Sequence, residues 1–113
     1  MRMEQIKYSD FESIEIRVGT ILEVHDFPEA RNPAYKLKID FGEFGIMKSS
    51  AQITKLYKKE DLVGKQLSAV VNFPPRQIAN FISECLVLGA INELSDVVLL
   101  HPGMKVKNGI RIL

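Results

Sequence analysis

Apolar and polar side chains alternate along much of this chain, and the alternation predicts strands. Ile14, Ile16, Val18, Leu22 and Val24 share one parity, while Glu15, Arg17, Gly19, Glu23 and His25 share the other. Period two over roughly eleven residues predicts a long, half-buried first strand. Gly19 in its middle predicts a bulge or sharp bend, and a long bent strand can serve two sheets at once. Tyr35, Leu37, Ile39 and Phe41 alternate with Lys36, Lys38 and Asp40 to give a second strand. A turn at Gly42-Glu43 and a third strand over 44–48 complete a hairpin. Ser49 or Ser50 is placed to cap a helix over 51–57, with an extension to Leu62, and Gly64 marks its stop. A fourth strand covers Gln66 to Phe73, with Leu67, Ala69, Val71 and Phe73 on one face. Pro74 to Glu84 reads as a loop. Residues 85–91 are apolar on both faces and read as a buried fifth strand. A short strand over 97–100, an Asn108-Gly109 turn signal and an apolar end over 110–113 follow. Near the start, Ser9-Asp10-Phe11-Glu12 has the form of a capping box and predicts one helical turn.

Three strands, a helix, then two strands is the order of the five-stranded oligonucleotide/oligosaccharide-binding (OB) barrel. In that fold the face of strands two and three, with loops one-two and four-five, lines the ligand site. Lys36 and Lys38 then stand on the outer face of strand two. Phe27, Arg31 and Asn32 fall in loop one-two, and Asn72, Arg76, Gln77 and Asn80 at or in loop four-five. Pro74 and Pro75 hold the stretch before Arg76 extended, so its guanidinium leaves the strand on a stiff stem. A local pairing of Arg76 with Glu84 is the competing reading. Lys36 and Lys38 equally suit a solvated strand face.

Composition narrows the chemistry. The chain has 113 residues and a formal net charge of +1, so one domain over 1–113 is expected, and broad electrostatic attraction to nucleic acid is not available. Cys85 is the lone cysteine. It excludes an intrachain disulfide and a multi-cysteine metal site, and its apolar neighbours predict an inert buried thiol. His25 and His101 lack indicated acid partners, and there is no Gly-rich phosphate cradle or nucleophile elbow. The expectation is a binding protein, not an enzyme, without cofactor or metal. The first residues lack the apolar run of a signal peptide, and no segment has the length of a membrane span, so a cytoplasmic protein without membrane insertion is expected.

Several stretches carry a family likeness. Asp10-Phe11-Glu12, Ile16-Arg17-Val18-Gly19-Thr20-Ile21, Val70 through Ile78, Ser83-Glu84 and Leu86 through Ala90 resemble the tRNA-binding domain family. That family includes the C-terminal appendage of methionyl-tRNA synthetases and the free-standing CsaA-type, export-related chaperones. Pro28 through Leu37, Lys48 through Tyr57 and Asn72 through Ile78 are similar to the CsaA type. The resemblance runs from about Asp10 to Leu113. It implies a homodimeric barrel, with a core over about 14–91 and extensions 1–13 and 92–113 at the interface. It also implies binding of unfolded or precursor polypeptides in protein export, contact with the secretion machinery, and tRNA binding on the barrel. Asn72, Arg76, Ser83 and Glu84 match the relatives' Asn-x-x-Pro-Arg and Ser-Glu signatures. Pro74 replaces a common lysine, and Cys85-Leu86 a common Gly-Met, and both departures weigh against tRNA affinity. Lys36, Lys38, Asn72, Arg76, Gln77, Ser83 and Glu84 are therefore the expected RNA site. Phe27, Met47, Phe73, Ile78 and Phe81 are the expected lining of an apolar polypeptide site. The alternatives are a protein devoted chiefly to structured tRNA, and a dimer module that tethers a partner.

Overall fold

The alternation at Tyr35–Asp40 becomes a strand because one face can be buried completely. Leu37 and Ile39 point into the core while Lys36 and Lys38 point out. In a computed structural model, which describes residues 3–113, strands β1 (Ile16–Asp26), β2 (Tyr35–Asp40), β3 (Ile46–Ala51), β4 (Gln66–Val70) and β7 (Leu86–Val87) form one sheet in the order β3-β2-β1-β4-β7. Glu84 and Ser49 bring β3 back toward β7. The Glu84 N–H donates to the Lys48 carbonyl at 2.7 Å, and the Ser49 hydroxyl to the Cys85 carbonyl at 3.0 Å. The result is a nearly closed five-stranded OB barrel, mostly β with two short α-helices, α1 (Tyr8–Glu12) and α2 (Lys59–Leu62), and a 3-10 turn at Gly42–Phe44. Ile21, Leu37, Ile39, Phe41, Leu62 and Leu67 fill it. No described helix is long and apolar enough to cross a membrane.

β1 departs from the expected parity. Its register against β2 shifts between Ile21 and Glu23, so Leu22 is an extra residue. Ile21 is therefore inside, opposite Ile39, and Leu22 is 40% exposed. The bulge lies there and not at Gly19. Gly19 is instead a close-approach position: a Cβ on it would stand 2.6 Å from the Ile39 Cγ2 and 2.8 Å from the Phe41 ring.

Three further expectations change. The helix expected over 51–57 does not form. Ser49 and Ser50 are not caps but members of β3, opposite Leu37 and Lys36, because sheet pairing outweighs local cap preference. Within the stretch from 51 to 64, Lys59–Leu62 alone is helical, and Leu62 still reaches the core. The loop expected over 74–84 folds into a hairpin of β5 (Arg76–Ile78) and β6 (Phe81–Ser83), turning at Ala79 with φ 51°. The expected fifth strand is split. After β7 the chain leaves β4, and β8 (Gly89–Ile91) pairs with β9 (Val97–Leu99), leaving Ile91 71% exposed.

Both ends run along the barrel. α1 begins after Lys7, not at Ser9, and Asp10 Oδ2 accepts from the Lys7 N–H at 3.0 Å. β10 (Arg111–Ile112) pairs with the start of β1. Asn108 accepts from Thr20 Oγ1, and Arg17 donates to the Gly109 carbonyl at 2.7 Å. The apolar end thus finds a partner in β1. Residues 1–2 of the expected N-terminal extension lie outside the described residues.

Candidate functional site

Two concavities flank the β5–β6 hairpin. The larger, about 710 Å³, opens between the 27–34 loop, the end of β3, the hairpin and β7. Its volume suits a small ligand or a few side chains. Ile53, Ile78, Val87 and Val97 give it aliphatic walls. Arg31 and Arg76 enter from two separate segments, and Phe73, 52% exposed, stands at the rim. Ser83, Glu84 and Cys85 line it as well.

The smaller cleft, about 180 Å³, lies on the outer face of β2 and β3 and is lined by His25, Lys36, Leu37, Lys38, Lys48 and Phe81. Strand register builds it. Glu23, Lys38 and Lys48 form one row across β1, β2 and β3, and His25, Lys36 and Ser50 the next. Phe27 and Phe81 pack edge to face at 5.4 Å. The Lys36 ammonium lies 5.5 Å from the Phe27 ring centre, and the Lys48 ammonium 5.3 Å from that of Phe81. These are cation–π distances. Glu23 counters part of the charge: it lies 3.7 Å from Lys38 Nζ and 2.9 Å from His25 Nε2. The His25 hydrogen bond first, then the Lys38 charge, holds its carboxyl below the usual value of 4.5.

The structure regroups the residues that the sequence singles out. Lys36, Lys38, Phe27 and Phe81 meet around the basic cleft. Arg76, Ser83, Glu84, Phe73 and Ile78 meet in the aliphatic cavity. Met47, opposite Ile39, packs against the core. Gln77 is exposed and donates to the Ala79 carbonyl. Three signature residues spend their polar groups on the backbone. Asn72 accepts from the Glu15 N–H at 3.0 Å and donates to the Ser13 carbonyl at 2.8 Å. Ser83 Oγ accepts from the Ser50 N–H at 3.1 Å. Glu84 Oε1 accepts from the Lys48 N–H at 2.8 Å, so it is not the partner of Arg76. The Cys85 thiol is pushed up to about 12, chiefly by burial, and stays neutral.

Lys48 was not foreseen as a site residue. The signal was available: in a β2–β3 hairpin in register, Lys38 faces Lys48 directly. No group of three or more potential metal ligands occurs among the described residues.

Residues 16–111 match the tRNA binding domain family. The chain belongs to that family. It is similar to the chaperone CsaA of Bacillus anthracis, with 52% identity and a TM-score of 0.93 over 97% of this chain and 100% of the other. The CsaA chaperone of Picrophilus torridus is 58% identical, with a TM-score of 0.91 over 96% of this chain and 100% of the other. The methionine–tRNA ligase of Bacteroides fragilis is 37% identical over 108 residues. That match takes in 95% of this chain but only 16% of the ligase. A methionyl-tRNA synthetase-related protein from Pyrococcus horikoshii, at 24% identity and a TM-score of 0.87, shares the fold.

Proposed function

We propose that the chain is a non-catalytic, homodimeric binding protein that takes unfolded or precursor polypeptide in the aliphatic cavity and tRNA on the basic sheet face. The cavity carries the first half of this reading. Its walls are aliphatic and its volume is about 710 Å³, which suits side chains of an extended polypeptide. Phe73 and Ile78 contribute apolar surface there, and the likeness to CsaA chaperones over nearly whole chains supports the same reading. In this reading the protein works in the cytoplasm on export precursors, with the secretion machinery as a further partner.

The row of lysines favours the second half. Lys36, Lys38 and Lys48 line the cleft on the strand two–three face together with Phe81, which packs on Phe27, and that is the face where OB folds bind oligonucleotides. Family membership supports tRNA as the nucleic acid. Asn72, Ser83 and Glu84 act here by shaping the mouth, since their polar groups hold backbone. Arg76 offers its guanidinium to a ligand, and Gln77, whose Nε2 holds the Ala79 carbonyl, keeps only its amide oxygen for one.

The dimer rests on the ends. Met3, Ile6, Leu94, Met104 and Leu113 are each at least 73% exposed, leaving apolar surface on both extensions that a second copy would cover. Extensions 3–13 and 92–113 are the proposed interface around a barrel core at about 14–91. Light scattering is expected to give twice the chain mass, and a monomer at working concentration removes the dimer.

The deciding experiment is a salt titration of tRNA binding with a denatured polypeptide as competitor. Affinity for tRNA is expected to fall steeply with salt, while polypeptide binding stays nearly constant. Salt-insensitive tRNA binding removes the basic face as the RNA site.

A further inference from the structure

The described arginines divide into two kinds. Arg17 pairs with Glu15 at 2.7 Å and donates to the Gly109 carbonyl. Arg111 donates to the Glu12 carbonyl at 2.8 Å. Both are committed to the protein. Arg31 and Arg76 are exposed and line the same cavity. Neither guanidinium pairs with a carboxylate among the described residues. Glu84 is the acidic residue in the cavity lining, and one of its carboxylate oxygens is taken by the Lys48 N–H. A lining with two guanidiniums and one carboxylate keeps an excess positive charge beside an aliphatic surface. Two exposed guanidiniums with no internal carboxylate partner stay free to pair with an anion that a ligand supplies.

We propose that the cavity selects polypeptide segments in which an apolar side chain adjoins a carboxylate, the aliphatic wall taking the side chain and Arg31 with Arg76 taking the carboxylate. The inference rests on the polypeptide-binding reading above and names the class of segment bound. A carboxylate matches the fork of an arginine, and such pairs are stronger than neutral hydrogen bonds. A phosphate would match the fork too. The wall favours polypeptide over RNA: Phe73 at the rim is the one aromatic ring in the lining, while Ile53, Ile78, Val87 and Val97 present an aliphatic surface suited to an apolar side chain. The carboxylate can be an Asp or Glu side chain or the α-carboxylate of a chain end, and the two sources are separable.

The test is fluorescence anisotropy with labelled leucine-containing hexapeptides. One series carries Asp or Asn beside the leucines with an amidated C-terminus. The other lacks Asp and ends in a free or an amidated carboxyl. The charged member of at least one pair is expected to bind about tenfold tighter than its neutral partner; the pair that shows the difference identifies the source. Arg31→Ala and Arg76→Ala are each expected to reduce the difference, and the double variant to abolish it, with circular dichroism unchanged. Arg76→Glu is expected to turn the preference toward a Lys-containing peptide. Equal binding of charged and neutral peptides overturns the inference but leaves polypeptide binding standing. No binding of any peptide overturns both. Displacement of a bound peptide by a short single-stranded RNA, with RNA affinity lost in the double arginine variant, makes the cavity an RNA site and also overturns it.

Discussion

Replacing Glu23 by Gln is expected to tighten tRNA binding. Glu23 heads the row that continues through Lys38 and Lys48, and its carboxylate lies 3.7 Å from Lys38 Nζ. A phosphate that reaches Lys38 must approach or displace this carboxylate. Two unit charges near 4 Å in water interact strongly enough to change an equilibrium about fivefold. The expected gain is therefore about fivefold at low salt, shrinking as the Debye length falls toward 8 Å near physiological salt. Freeing Lys38 adds roughly one phosphate contact, which steepens the slope of log affinity against log salt by about 0.7. Acidification is a poor substitute for the mutation. The His25 hydrogen bond and the Lys38 charge hold the carboxyl below 4.5, so Glu23 stays ionised throughout the neutral range. Any stability tied to that ionisation is present above the ordinary carboxylate value and is lost only as pH falls through the lowered one. The assay is anisotropy of labelled tRNA from 50 to 200 mM salt with wild type, Glu23→Gln, Lys38→Ala and the double variant. The melting temperature is expected to stay constant because the pair is exposed. Glu23→Gln binding no tighter at low salt, or a gain that survives undiminished in the Lys38→Ala background, refutes the coupling of Glu23 to Lys38.

Three further outcomes test the scaffold. Gly19→Ala is expected to destabilise by about 1–3 kcal/mol in urea titration, because its Cβ would fall 2.6 Å from Ile39 in a full core; unchanged stability refutes the close-approach role. Asn72→Ala is expected to cost about 1–2 kcal/mol and to speed hydrogen exchange at the Glu15 amide, whose acceptor it removes; an unchanged Glu15 rate refutes it. For Cys85, burial raises the thiol from 9.0 to about 12, so its stabilisation is complete below pH 9 and is lost as pH climbs to about 12. That loss has an upper limit of roughly 4 kcal/mol. Cys85→Ala is expected to flatten the alkaline limb of stability against pH relative to wild type, and parallel limbs refute the assignment.

What was legible in the sequence was what a strand shows on one face. β2 alternates cleanly because Leu37 and Ile39 are buried while Lys36 and Lys38 are not, and its boundaries, its hairpin with β3 and the barrel order follow. β1 misleads because Ile21 and Leu22 are both apolar. A bulge between apolar neighbours moves the inward face by one residue without leaving a break in hydrophobicity. The helix expected after Ser49 and Ser50 fails for a related reason. Cap residues are a local signal, and β3 has a longer-range partner in β2 that uses both serines in the sheet.

The site was legible by chemistry but not by grouping. Sorting residue types puts arginine with RNA and phenylalanine with polypeptide. The hairpin β5–β6 sorts them by register instead. Arg76 faces Ser83, and Ile78 faces Phe81, so all four share one face of the hairpin, and strand and position together decide the neighbourhood: Ile78 still lines the aliphatic cavity although its partner Phe81 does not. At the end nearer Pro75, Arg76 and Ser83 meet the aliphatic walls. At the turn end, Phe81 meets Phe27 and Lys48. Reading 74–84 as a loop removes that register, and with it the only sequence-level means of knowing that the guanidinium sits among isoleucines and valines while the ring sits among lysines. The consequence is physical. The two proposed ligands touch the same three-residue ladder, and two-stranded hairpins are marginal by themselves. What holds this one in place is the Phe27–Phe81 contact at one end and the Ser83–Ser50 hydrogen bond at the other. The placement of Arg76 therefore depends on packing that lies on the basic side of the site.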